Sequence, residues 1–250
     1  MSAKFVIVGA ARTGSTLLVR TLNSLEGVRC HGELLGDRVR GYEDDFDPTA
    51  ASPAEREARM AALKRERDAD PVAFIGAALA GNQRASGFKA LYAAFLDPRW
   101  RAVIDSLLAD EDVRFIHLRR RNGLRRFVSE TVLRAGGPNH SAAGGRSEQR
   151  VRVHIDVGEF KRVEAQIARQ AAQIDELLSG QSVFELSYEA LADDTPAAVS
   201  RVCDFLGLAV SPPDIRPALH KVGAADIRDT VSNYRELLDD PAIRPFLSGE

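Results

Sequence analysis

The chain has 250 residues, a formal charge of −2, and 44% hydrophobic against 28% charged residues. That is enough for one large domain whose core needs no covalent staples, and the balance is globular rather than disordered. Near-neutral charge removes the global signature of a nucleic-acid or anionic-membrane binder, and no run approaches the ~18 apolar residues of a bilayer span.

Phe5 to Val8 is a wholly apolar run of the kind buried in the middle of a parallel sheet. Behind Lys4 it loosely mimics a signal peptide, but the apolar stretch ends after about seven residues and Arg12 interrupts it. Leu17, Leu18, Leu22 and Leu25 repeat at helical spacing over Ser15 to Leu25, and Val28 to His31 reads as a second strand. Leu35 to Ser52 is a polar loop. Ser52-Pro53-Ala54-Glu55 then opens a charged helix running through Asp68, with a capping serine, a first-turn proline and a glutamate three residues on. Val72 to Leu79 continues the helical layer. Gly87 to Leu91 reads as a strand, Trp100 to Leu108 as a helix, Val113 to Leu118 as another central strand, and Asn122 to Leu133 as a basic helix.

Arg134 to Arg150 holds four glycines and a proline without periodicity, a long loop of the kind that is functional or disordered. Asp156 caps a helix running to about Leu178. Val183 to Leu186 is the last clear strand, Pro196 to Leu206 a helix, and the tail from Ser211 a set of short helical pieces. Cys30 and Cys203 stand far apart in neither metal nor redox spacing, which fits a reducing cytoplasm. Strands alternating with helices predict an α/β fold: one domain over residues 1–250, with a mostly parallel sheet flanked by helices on both faces.

Gly9-Ala10-Ala11-Arg12-Thr13-Gly14-Ser15-Thr16 lies between the first strand and first helix, where backbone N–H groups and the helix dipole favour an anion. It matches the P-loop pattern except that Ser15 stands where the lysine belongs, which argues against ATP or GTP hydrolysis. As a dinucleotide-binding turn it lacks a second strand ending cleanly in an acid. A third reading gives weight to Arg12, a cation placed to neutralise an anion at the helix end. A second basic anchor follows: Arg114, Arg119, Arg120, Arg121, Arg125 and Arg126 cluster around the end of a strand, where open α/β sheets bind ligands. For Arg125 and Arg126 a solvated helix face is the plainer reading.

Arg12-Thr13-Gly14-Ser15-Thr16 resembles the first loop of PAPS-dependent sulfotransferases, most closely the bacterial carbohydrate-type branch, which accepts arginine at its first position. In that family an arginine after a central strand and a serine eight residues later hold the 3′-phosphate. Arg121 and Ser129 have that separation, and Asn122 resembles the family's next residue; a slipped register would substitute Arg119 or Arg120. Gly87-Phe88-Lys89, Ser187-Tyr188-Glu189-Ala190-Leu191, Phe205 to Leu208 and Ser232-Asn233-Tyr234 are also similar to family segments, with Tyr188 and Glu189 read as structural.

The resemblance implies PAPS as cofactor, adenosine 3′,5′-bisphosphate as product, and Arg12, Thr13, Gly14, Ser15, Thr16, Arg121 and Ser129 as cofactor-binding residues. It implies transfer to a hydroxyl of a sugar or glycosylated small molecule, carried by the segments 35–52 and 134–150. Arg12 would stabilise the leaving phosphate and Glu33 would be the general base, with His31 as the alternative because its ordinary pKa suits proton transfer. No metal is expected, since no ligand cluster is visible and the arginines supply the positive charge. His117, alternating with core residues, reads as structural, and neither His140 nor His154 is assigned. A kinase-type P-loop enzyme and a non-catalytic nucleotide-binding module are the competing readings.

Overall fold

The computed structural model describes residues 2–41, 52–137, 151–216 and 226–247. Five strands form one all-parallel sheet: β1 (Ala3–Gly9), β2 (Val28–Glu33), β3 (Ala85–Leu91), β4 (Val113–Arg119) and β5 (Val183–Ser187), in the order β2-β3-β1-β4-β5. β1 lies in the centre. Phe5, Val6, Ile7 and Val8 are all fully buried because both faces of this strand are covered, which is why the run is uniformly apolar. The chain moves to one side of β1 for β2 and β3, then crosses to the other for β4 and β5. That reversal places the crevice beside the carboxyl end of β1.

On one face Val6, Val8, Phe88 and Phe115 pack against α3 (Pro71–Leu79), α4 (Tyr92–Phe95), α5 (Arg101–Ala109) and α7 (Val157–Leu177). On the other, Phe5, Ile7, Ile116 and Leu118 meet Leu18 and Leu22 of α1 (Ser15–Asn23) and Val199, Val202 and Leu206 of α9 (Thr195–Leu206). Each large apolar side chain so buried contributes roughly 1.5–3 kcal/mol. A third cluster joins Leu124 and Phe127 of α6 (Gly123–Arg134) to Val153, Ile155 and Phe160, and to Val231, Leu237 and Ile243 of the tail. Asn233 fastens it: its amide accepts from the Ile155 N–H at 2.9 Å and donates to the Ile155 carbonyl at 3.0 Å.

The single-domain α/β architecture with a parallel central sheet is the one expected. The Ser52–Glu55 capping box is present at the start of α2 (Pro53–Ala69), with both reciprocal bonds made. The helical layer does not run on unbroken from α2. Asp70 leaves the helical conformation, at φ −149° and ψ 89°, and caps α3 through the Ala73 N–H, because Pro71 lacks a donor and would collide with the preceding turn. Two short helices were not anticipated, α4 and α8 (Tyr188–Asp193). Residues 42–51 and 138–150, most of the two segments expected to carry the acceptor, lie outside the described residues, as does His140. No described helix is long and apolar enough to cross a membrane.

Candidate functional site

The loop after β1 is shaped by steric necessity. At Gly9 a Cβ would lie 2.6 Å from the Leu118 carbonyl oxygen, so only glycine lets β4 run this close. Gly14 is left-handed at φ 86°, and a Cβ there would meet the Tyr188 ring at 2.6 Å. Arg12 also has positive φ, 66°, alone among the described non-glycine residues. Thr13 is buried, and its hydroxyl donates to the Ala10 carbonyl at 2.8 Å, so it closes the loop. The helix that follows begins at Ser15 with no side chain capping it and no acid in its first turn. Its leading amides and dipole therefore suit a bound anion.

The second anchor meets the first. Arg12 Nε donates to Ser129 Oγ of α6 at 3.1 Å, across 117 residues of sequence. The three arginines ending β4 diverge, as successive residues leaving a strand must. Arg119 turns to the helical face of α7, where it pairs with Asp175 and, at 3.2 Å, with Glu185. Arg120 turns to the loop after β1: Nη1 donates to the Arg12 carbonyl at 3.0 Å, and the guanidinium stacks 4.1 Å from the Tyr188 ring centre. Arg121 is 75% exposed, with Nε 3.6 Å from Glu189. The Glu189 carboxylate also accepts from the Arg121 and Asn122 N–H groups, at 3.0 and 3.1 Å, and so fixes the turn into α6. Burial pulls the Arg12 guanidinium below its ordinary pKa, against Glu130 and Tyr188. It does the same to Arg120, against Tyr188 and Glu189. An anion bound between them would relieve both.

On the other side of β1, at the end of β2, a bulge redirects a carboxylate. Cys30 pairs with Gly87 and His31 with Phe88, and the register then shifts so that Glu33, not Gly32, faces Lys89. Glu33 Oε1 lies 3.0 Å from Lys89 Nζ, and Lys89 is 4% exposed. Lys89 sits level with Ile7, about 7 Å along the strand from the end of β1. The backbone past Glu33 is held by Arg67 of α2, whose Nη1 donates to the carbonyls of Leu34 at 2.9 Å and Gly36 at 2.5 Å while the guanidinium stacks on Trp100. Burial, aided by Arg29, holds His31 down at about 4, so its ring is neutral at pH 7 and a weak base.

Arg67 was missed by the reading from sequence, while Lys89 was noted only within the Gly87-Phe88-Lys89 segment and Arg120 only as a slipped-register alternative to Arg121. A charged residue in the middle of a buried strand is a signal that could have given Lys89 a role of its own. The expectation that no ligand cluster exists also needs correcting. His117 Nδ1 lies 3.3 Å from both Asp175 Oδ1 and Glu185 Oε1, and Tyr92 holds its Nε2 at 2.6 Å. Arg119 sits among these groups and balances both carboxylates.

A family model described as "Sulfotransferase family" matches residues 4–212. A sulfotransferase from Alicyclobacillus acidocaldarius is 20% identical with a TM-score of 0.52, over 98% of this chain and 93% of that one. The sulfotransferase domain from the curacin biosynthetic pathway is 16% identical with a TM-score of 0.53, over 90% and 81%. At these identities the likeness is one of fold. No curated protein matches the chain.

Proposed function

The chain belongs to the sulfotransferase family, and from that premise we propose that it moves the sulfuryl group of PAPS to a hydroxyl of a carbohydrate or glycosylated small molecule. The observation that carries this reading is the hydrogen bond from Arg12 to Ser129, which joins the phosphate loop and the basic helix into one electropositive crevice. The residues fit the cofactor: an uncapped helix start, the half-buried Arg12 and Arg120, and an Arg120 Nε buried without a hydrogen-bond partner. PAPS would supply the activated sulfuryl group.

In this reading Arg12 and the amides of Thr13 to Thr16 hold the 5′ end and stabilise charge that develops on the leaving phosphate. Ser129, with Arg121 swung in from solvent, holds the 3′-phosphate. Glu33 removes the acceptor's proton. Its pairing with the buried Lys89 fixes the carboxylate in place, and the lysine offers a second positive charge beside the acceptor oxygen. His31 is the weaker base because burial has already depressed it. We assign the whole chain, residues 1–250, to one such domain in a reducing cytoplasm, a placement supported by the buried thiols Cys30 and Cys203, which are not joined in a disulfide.

Adenosine 3′,5′-bisphosphate should raise the melting temperature without magnesium, whereas ATP with magnesium should leave it nearly unchanged. The reverse pattern would discard the sulfotransferase reading in favour of a kinase-type enzyme.

A further inference from the structure

Two left-handed residues, Arg12 and Gly14, bracket Thr13 in the phosphate loop. Glycine takes that conformation without penalty; arginine does not, because its Cβ crowds the backbone. Something must hold Arg12 there. One contact to its backbone comes from Arg120, whose Nη1 donates a charge-assisted hydrogen bond to the Arg12 carbonyl. Arg120 is in turn fixed by its stack on Tyr188, and Tyr188 lies against Gly14 so closely that no side chain fits between them. Arg12, Arg120, Tyr188 and Gly14 thus form a closed circuit of contacts around the loop.

We propose that Arg120 is a positioning residue which keeps the phosphate loop in its left-handed turn by holding the Arg12 carbonyl, and that it does not itself grip the 3′-phosphate. The inference rests on the reading of the loop as the 5′ end of the nucleotide site. Its consequence is a division of labour between neighbours: Arg120 serves the 5′ end through the loop, while Arg121 serves the 3′ end directly. Tyr188 belongs to the same device, as the surface on which Arg120 is seated.

Calorimetric binding of adenosine 3′,5′-bisphosphate and adenosine 5′-monophosphate separates these roles, since only the first carries a 3′-phosphate. Arg120→Ala should weaken both nucleotides by the same factor, about tenfold, the cost of letting a residue leave a left-handed turn. Arg121→Ala should weaken the bisphosphate alone. Arg12→Gly removes a guanidinium but lets position 12 keep its turn unaided. In that background Arg120→Ala should add less than about threefold.

Loss confined to the bisphosphate in Arg120→Ala would overturn the proposal, as would an undiminished effect in the Arg12→Gly background or no effect at all. Should Arg120→Ala not fold, Arg120→Lys, which keeps the charge and loses the planar stack, carries the same comparison. Wild-type protein that binds neither nucleotide would instead remove the nucleotide reading itself, whereas wild-type binding unchanged by Arg120→Ala removes only this inference.

Discussion

Glu33 and Lys89 face one another across β2 and β3 at 3.0 Å only because the strand pairing slips by one residue at Gly32. Without that bulge the glutamate would point to the opposite face of the sheet, since side chains alternate along a strand. A buried lysine and a partly exposed carboxylate are then brought level with the central strand.

Replacing Glu33 with glutamine tests this arrangement in two ways. Transfer should fall by about 10²- to 10⁴-fold while adenosine 3′,5′-bisphosphate still binds, as expected when a general base is lost. The change also leaves Lys89 buried without its counter-charge, which should cost about 2–3 kcal/mol in a urea titration. The double variant Glu33→Gln, Lys89→Met should regain part of that stability and none of the activity. Activity near the wild-type level in either variant would reject Glu33 as the base.

Gly9→Ala places a methyl group 2.6 Å from the Leu118 carbonyl, a backbone atom with no rotamer to escape into. We expect a loss of about 1–3 kcal/mol and, because β1 and β4 must part just below the loop, weaker nucleotide binding. A melting temperature within a degree of wild type would show that the strands yield more easily than their register suggests.

Stability should fall on acidification through a defined window. Unfolded, His31 titrates near 6.5; folded, burial and Arg29 hold it at about 4. Between these values the unfolded chain binds the extra proton, so stability is full above pH 6.5 and drains as pH falls towards 4, by up to ~3 kcal/mol. His117 is lowered as well, chiefly by burial, and pulls the same way despite Asp175 and Glu185. Urea midpoints at pH 4.5, 5.5 and 7 should therefore slope less steeply for His31→Gln, though not become flat. An unchanged slope would mean that the ring is solvated.

Glu189→Ala should loosen the turn that leads into α6, because two backbone N–H groups lose their acceptor. The expected loss is about 1–2 kcal/mol, and hydrogen exchange should rise at Arg121 and Asn122 before it rises in β4.

Much of this was legible in the sequence for local reasons. The apolar run of β1, the Ser52 capping box and the glycines around Arg12 each announce their structure within a few residues. Arg12 and Ser129 were both singled out, yet their direct contact was not foreseen, because it depends on β4 lying beside β1. The bulge at Gly32 was invisible for the same reason: a register belongs to two strands, not one. His117, Asp175 and Glu185 come from β4, α7 and β5, and only the order of the sheet brings them together. Tyr188 was read as structural, but its place between Arg120 and Gly14 requires the three-dimensional path of β5.

The Asn233 fastening has a consequence for the reach of the fold. The family match stops at residue 212, yet Val231, Leu237 and Ile243 cover Leu124 and Phe127, on the inner side of the helix that presents Ser129. A chain cut at the edge of the match would keep every residue of the proposed nucleotide site and still bare an oily flank of α6 to water. The tail is thus a keel for that helix, and the family boundary drawn from sequence is not the boundary at which this protein could be safely trimmed.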